Sequence, residues 1–379
     1  ELLSGLVGSE MCIRDRLTAI VCSYMLVCIS KKHGLSSSAA YVLGIGTFLL
    51  PPAQVNLGWI ANYIPGVFNA LIAICAISIM PNTKTIFQNK KNSVSRLLLT
   101  IFLLISCMYI YPPTAGFFLL PALIKAVTEK YDKLRDYLEI FIYQGIFCFC
   151  CLIYFVSHKL FSSFNNISFP HGSLYQFEVA RDLIPNLAKF VTKVLPVFLN
   201  LFIPTSNIFI AGLVIIFFAL LRFNGIFRFA LVARNDKNIW LNIYVRSLIM
   251  CLTFLLINAP GLLAAGSPPL FYRAWHPGMT AILLFLIMSI DLIKIHFIKR
   301  CLFVLLVAFG IVVSFESSFH LANTLSEQYI HARNQFKAQF NVERENYLIV
   351  ENRPKSFGLD INRWGELGFI HILSSCLLY

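Results

Sequence analysis

The feature that most limits what this chain can become is a recurrence of apolar runs, each bounded by clusters of Lys and Arg or by proline. About 20 consecutive apolar residues cross a bilayer as a helix, and in hydrocarbon only a helix or a closed barrel satisfies its own backbone. Runs of this kind lie near residues 34–50, 59–80, 97–111, 114–126, 137–157, 205–221, 239–258, 279–295 and 301–314, with a shorter one at 17–30. They predict about ten spans, the first of them partial. The composition agrees: 58% hydrophobic and 13% charged, against about 45–50% and about 25% for a soluble domain. An ordinary soluble enzyme, a disordered chain, a collagen and a disulfide-rich module are excluded. The predicted fold class is all-α, a polytopic transmembrane helix bundle over residues 17–316. A small extracytoplasmic α/β tail at 317–379 follows, with a polar helix near 321–340 and a short β-type run, Tyr347-Leu348-Ile349-Val350.

The residual charge is lopsided, with Lys+Arg 31 against Asp+Glu 18 and a net charge of +13. With the loops placed alternately on two sides, Lys31-Lys32, Lys84 to Arg96, Lys125 to Arg135, Arg222 to Lys237 and Lys294 to Arg300 all fall on one side. Lys and Arg in short loops are retained in the cytoplasm. That side is therefore read as cytoplasmic. The proline turns, the segment after His158, the loop around Tyr272-Arg273 and the carboxyl tail are read as extracytoplasmic. The positive charge is thus a topology signal, and no nucleic acid partner is required.

The ends stand apart. Gly5-Leu6-Val7-Gly8-Ser9-Glu10-Met11-Cys12-Ile13-Arg14-Asp15-Arg16 resembles a translated sequencing-adaptor peptide, and Cys376-Leu377-Leu378-Tyr379 resembles the start of another. Residues 1–16 are accordingly set aside from fold reasoning, and the genuine protein is expected to continue upstream.

No phosphate-cradling glycine loop, dinucleotide fingerprint or His-Glu-x-x-His pair is present, and no cofactor is implied. Cys148, Cys150 and Cys151 have spacing suggestive of a metal or redox site, but no His or polar group adjoins them. They read as small core hydrophobes, with no metal. Charges inside spans are costly and face the bundle interior. Arg246, Asp291 and Glu139 are such charges. Each either snorkels or pairs, Arg246 with Asp291 for example, or, in the case of Arg246, grips an anionic phosphate. Outside, Tyr109-Ile110-Tyr111-Pro112-Pro113 and Pro268-Pro269-Leu270-Phe271-Tyr272-Arg273-Ala274-Trp275-His276 concentrate aromatic, cationic and imidazole groups. They form an interfacial aromatic belt, or they bind a lipid-linked phosphate and stack on a sugar. The polar segment from His158 to Asn186 is either a solvated loop or a source of acceptor contacts.

Tyr109 to Pro121, reading YIYPPTAGFFLLP, resembles the mid-chain tyrosine/proline segment of bacterial Gtr-type membrane glucosyltransferases. Asn258-Ala259-Pro260 followed by Tyr272-Arg273 is similar to an outer-loop pattern of the same group. The resemblance implies a multi-pass GT-C-like enzyme of the bacterial inner membrane. Such an enzyme moves a sugar from a polyprenyl-phosphate carrier to a glycan acceptor such as O-antigen. It implies that Arg273, with Tyr272, His276 and Arg246, binds substrate phosphate, and that Tyr111 lines the sugar. In GT-C enzymes the catalytic carboxylate usually lies in the first outer loop. Here Pro51 to Gly58 contains no Asp or Glu, so that residue is expected upstream and the catalytic residue stays unknown. Two other readings stay open: a polysaccharide polymerase, and a non-enzymatic transporter or flippase of lipid-linked glycans.

Overall fold

The computed structural model describes residues 2–57, 64–81, 90–128, 137–165, 188, 237–263, 272–291 and 293–315. Within them the chain is 94% helical and contains no strand. The expected span at 205–221, the segment at 166–187 and the α/β tail lie outside the described residues.

The helices are α1 (Leu2–Lys32), α2 (Ser37–Leu49), α3 (Pro51–Leu57), α4 (Asn69–Ile79), α5 (Lys90–Ile110), α6 (Leu120–Thr128), α7 (Leu138–Asn165), α8 (Lys237–Leu263), α9 (His276–Asp291) and α10 (His296–Phe315). Among the described residues three stretches are long and apolar enough to cross a membrane, Asn92–Ile110, Leu138–Phe161 and His296–Phe315. This fits a membrane protein. Leu98, Phe102, Phe149, Leu152, Val304 and Phe315 are exposed on these helices, as side chains facing acyl chains would be.

Hydrogen bonds at the helix ends fix the directions. Gly34, at φ +98°, makes the left-handed turn that returns α1 into α2, where an L side chain would be strained. Ser36 caps α2, its Oγ accepting from Ala39 N at 3.3 Å. The same Oγ donates to Asp291 Oδ1 at 3.0 Å. At the other end of α2 the Thr47 carbonyl lies 2.8 Å from His276 Nε2. The two contacts pin α2 antiparallel to α9. Similarly, Asn69 bonds the end of α5, while Arg96 Nε donates to Ile79 O at 2.9 Å, so α4 and α5 are antiparallel. One end of the bundle therefore collects Lys31, Lys125, Glu139, Asp291 and Lys299, and the other collects Pro51, Pro112, Pro113 and Pro277. We refer to them as the basic end and the proline end.

Several boundaries depart from the sequence expectation. Pro51-Pro52 opens α3 instead of only closing α2, because proline lacks an N–H that the first helical turn does not use. Helix α8 continues through Pro260 to Leu263, so Asn258-Ala259-Pro260 belongs to a helix and not to a loop. Helix α9 begins at His276, with Pro277 in its first turn. Most notably, Pro112–Leu119 is a 3₁₀ segment whose eight residues are all buried, not an outer turn. It packs among α4, α5, α8 and α9. Gly116 makes this possible: a Cβ there would stand 2.4 Å from the Ile257 carbonyl oxygen and 3.2 Å from Pro277 Cβ.

Candidate functional site at the proline end

Helix α5 ends at Ile110, just before the two prolines, and the chain there keeps backbone partners: Tyr111 N donates to Cys107 O at 3.0 Å and Thr114 N to Tyr111 O at 3.2 Å. Asn69, fully buried at the start of α4, adds a second donor to both carbonyls: its Nδ2 donates to Cys107 O and to Tyr111 O, each at 3.0 Å. Thr114 Oγ1 donates to Pro65 O at 3.1 Å, tying the 3₁₀ segment to the Ile64–Phe68 turn. Tyr111 is thereby held at the hinge between α5 and the 3₁₀ segment. It is buried, and it packs with Ala274 in the short Tyr272–Trp275 turn.

His276 begins α9 directly after that turn. It is buried, and its ring meets Phe117 and Phe48 edge-on at centroid distances of 4.9 and 5.6 Å. Because a carbonyl only accepts, the 2.8 Å contact with Thr47 O requires Nε2 to donate. Thr47 O is among the last four carbonyls of α2, which have no helical partner. His276 is thus a side-chain cap for α2 as well as a member of the candidate site.

Four of the five sequence candidates, Tyr111, Tyr272, Arg273 and His276, therefore lie on segments that converge at the proline end. The side chains of Tyr272 and Arg273 lie outside the described residues. Arg246 stands apart: it precedes Asn258 on α8 by 12 positions, about 18 Å along a helix. Its side chain is also outside the described residues. Asp291, weighed as its partner, is engaged by Ser36 and by Lys299 Nζ at 3.2 Å. Glu139 pairs with Lys125. Both carboxylates belong to the basic end. Asp15 is buried in α1, with Arg14 Nε 3.7 Å from its Oδ1.

Beside the site, α5 and α7 carry a second polar-aromatic group. Tyr109 Oη and Ser157 Oγ share a hydrogen bond, and the Tyr109 and Tyr154 rings meet edge-on at 5.3 Å. His158 lies 5.9 Å beyond Tyr154. On α7, Cys148 is exposed and Cys150 buried, so they point to different sides. Among the described residues no group of three or more His, Cys, Asp or Glu is placed to hold a metal ion.

Asn69, Thr47, Thr114 and Gly116 escaped the sequence reading. Asn69 carried a signal, being one of two amides, with Asn62, in the largely apolar run at 59–80. Thr47 acts through its backbone and so had none. Compared with known proteins, the chain matches no family model, no curated protein and no solved structure.

Proposed function

We propose that the chain is a multi-spanning membrane glycosyltransferase. It moves a sugar from a polyprenyl-phosphate carrier to a surface glycan such as O-antigen, at the outer face of the bacterial cytoplasmic membrane. On this reading the proline end is extracytoplasmic and the basic end cytoplasmic. The bundle has about ten spans, and the 317–379 tail lies outside. The observation that carries the proposal is the packing of Tyr111 with Ala274. It joins the two stretches, remote in sequence, whose residues resemble the Gtr-type enzymes.

The roles follow from side-chain chemistry. The Arg273 guanidinium suits bidentate binding of the carrier phosphate. Tyr272 is assigned the flat, amphipathic face for a sugar ring, and Tyr111, buried against Ala274, backs the turn that carries it. His276 orders the floor by capping α2. Arg246, deeper along α8, is a second cation for the phosphate. In the reaction the acceptor oxygen bonds to the anomeric carbon, the carrier phosphate leaves with the electron pair of the broken C–O bond, and a carboxylate takes the acceptor proton. No residue of this sequence is assigned as that carboxylate.

The test uses the full chain expressed in bacterial membranes with a polyprenyl-phosphate donor carrying labelled glucose. The expected result is transfer of label to glycan, lost in Arg273→Ala. Transfer at the parent rate by Arg273→Ala refutes the phosphate role, and no transfer by the parent chain refutes the activity.

A further inference from the structure

We infer that the turn joining α9 to α10 is a binding site for the headgroups of anionic phospholipids. The inference rests on the membrane reading of the chain and not on glycosyl transfer.

Two chemistries alternate in this turn. Lys294, His296 and Arg300 are exposed, and between them Ile295 is 59% exposed, Phe297 76% and Ile298 42%. Bare cations suit any anion. Cations interleaved with protruding apolar side chains suit an anion that carries acyl chains, because the apolar groups enter the headgroup–acyl boundary while the charges meet phosphate. This favours a lipid over free phosphate.

The surroundings leave those cations available. The nearby carboxylate, Asp291, is already engaged by Ser36 Oγ at 3.0 Å and by Lys299 Nζ at 3.2 Å. It therefore neutralises Lys299 and leaves Lys294 and Arg300 to an external anion. The Ser36–Asp291 bond also draws the α1–α2 turn to the same end. There Lys31 and Lys32 are exposed, and Lys31 Nζ lies 4.1 Å from the centre of the Tyr41 ring. The other ion pair of this end among the described residues, Lys125–Glu139, is largely buried. The exposed surface is thus positive, with its described carboxylates consumed internally. Helix α10, whose span is 17% buried, carries this turn at its edge, open to bilayer on most sides.

The test begins with the full chain in membranes washed with alkaline carbonate. Retention is expected; release refutes the membrane reading and this inference with it. The retained protein, purified in neutral detergent, is then titrated with fluorescent-tailed phosphatidylglycerol and, in parallel, with the phosphatidylcholine analogue. Phosphatidylglycerol is expected to bind more tightly, with an advantage that falls as salt rises. Lys294→Gln and Arg300→Gln are each expected to weaken it by about fivefold. Phe297→Ser is expected to weaken both lipids, and Lys159→Gln, at the proline end, neither. Equal binding of the two lipids, unchanged binding by the Lys294/Arg300 double variant, or displacement by inorganic phosphate as effective as by the unlabelled lipid would overturn the site.

Discussion

His276 Nε2 lies 2.8 Å from the carbonyl oxygen of Thr47, so a side chain from the start of α9 closes the end of α2. This bond joins two residues 229 positions apart and makes the candidate site a structural joint. His276→Phe keeps the ring packing but strands a buried carbonyl, which costs about 1–3 kcal/mol. The measurement is denaturant unfolding in mild detergent. His276→Gln, which retains a donor, should recover part of the loss. A transfer rate that falls in His276→Phe while unfolding is unchanged would place the residue in contact with substrate.

Gly116 and Gly145 form a contrasting pair. A methyl group on Gly116 meets the Ile257 backbone oxygen at 2.4 Å, whereas nothing lies within 4 Å of one on Gly145. Gly116→Ala should destabilise by about 1–3 kcal/mol, since backbone must move. Gly145→Ala should be neutral or stabilising by up to about 1 kcal/mol, because α7 loses a flexible residue. Parallel melting curves decide. Equal effects would mean that the 3₁₀ segment does not press on α8.

The Lys125–Glu139 pair joins α6 to α7 with side chains only 13% and 19% exposed. Lys125→Met leaves a poorly solvated carboxylate alone and should cost about 3–5 kcal/mol. Lys125→Met with Glu139→Gln should restore most of it, because the uncompensated charge is gone. A double variant as unstable as the single would show that packing by the lysine stem, and not charge, is what matters there.

His33 sits in the turn after α1, where burial, helped by the Lys125 and Lys32 charges, pulls its pKa from the ordinary 6.5 to about 3. The unfolded chain takes up this proton near pH 6.5 and the folded chain only near pH 3. The stability due to the neutral ring is therefore complete above pH 6.5 and is lost as pH falls towards 3. Melting temperatures across that range should fall more steeply for the parent than for His33→Gln. Identical slopes would contradict a neutral, buried His33.

Helix positions were legible because periodic apolar length is a local property: the run at 137–157 became α7, and that at 301–314 became α10. Among the described residues Lys31, Lys32, Arg96, Lys125, Lys299 and Arg300 likewise gather at one end, since charge excludes itself from apolar packing. The Pro112-Pro113 step was misjudged as an outer turn. Two prolines end a helix wherever they occur, but whether the chain then meets solvent or protein depends on what packs there. Gly116 against Ile257 decides that question, and such a contact leaves no trace in local sequence. The convergence of Tyr111 with the 272–276 stretch was suggested only by resemblance, and the partners of Asp291 were invisible because Ser36 lies 255 positions away.

The burial of the 3₁₀ segment has a temporal side. One wall of its socket, Ile257, is synthesised roughly 140 residues after Gly116, and chains emerge from the ribosome amino terminus first. Until α8 arrives, the backbone at 112–119 has an open flank, and irregular backbone is tolerated at membrane depth only where protein or water covers it. The proline end therefore cannot mature before α8 is made. A ribosome stalled before α8 would leave α5 and α6 in place with their shared joint unfinished.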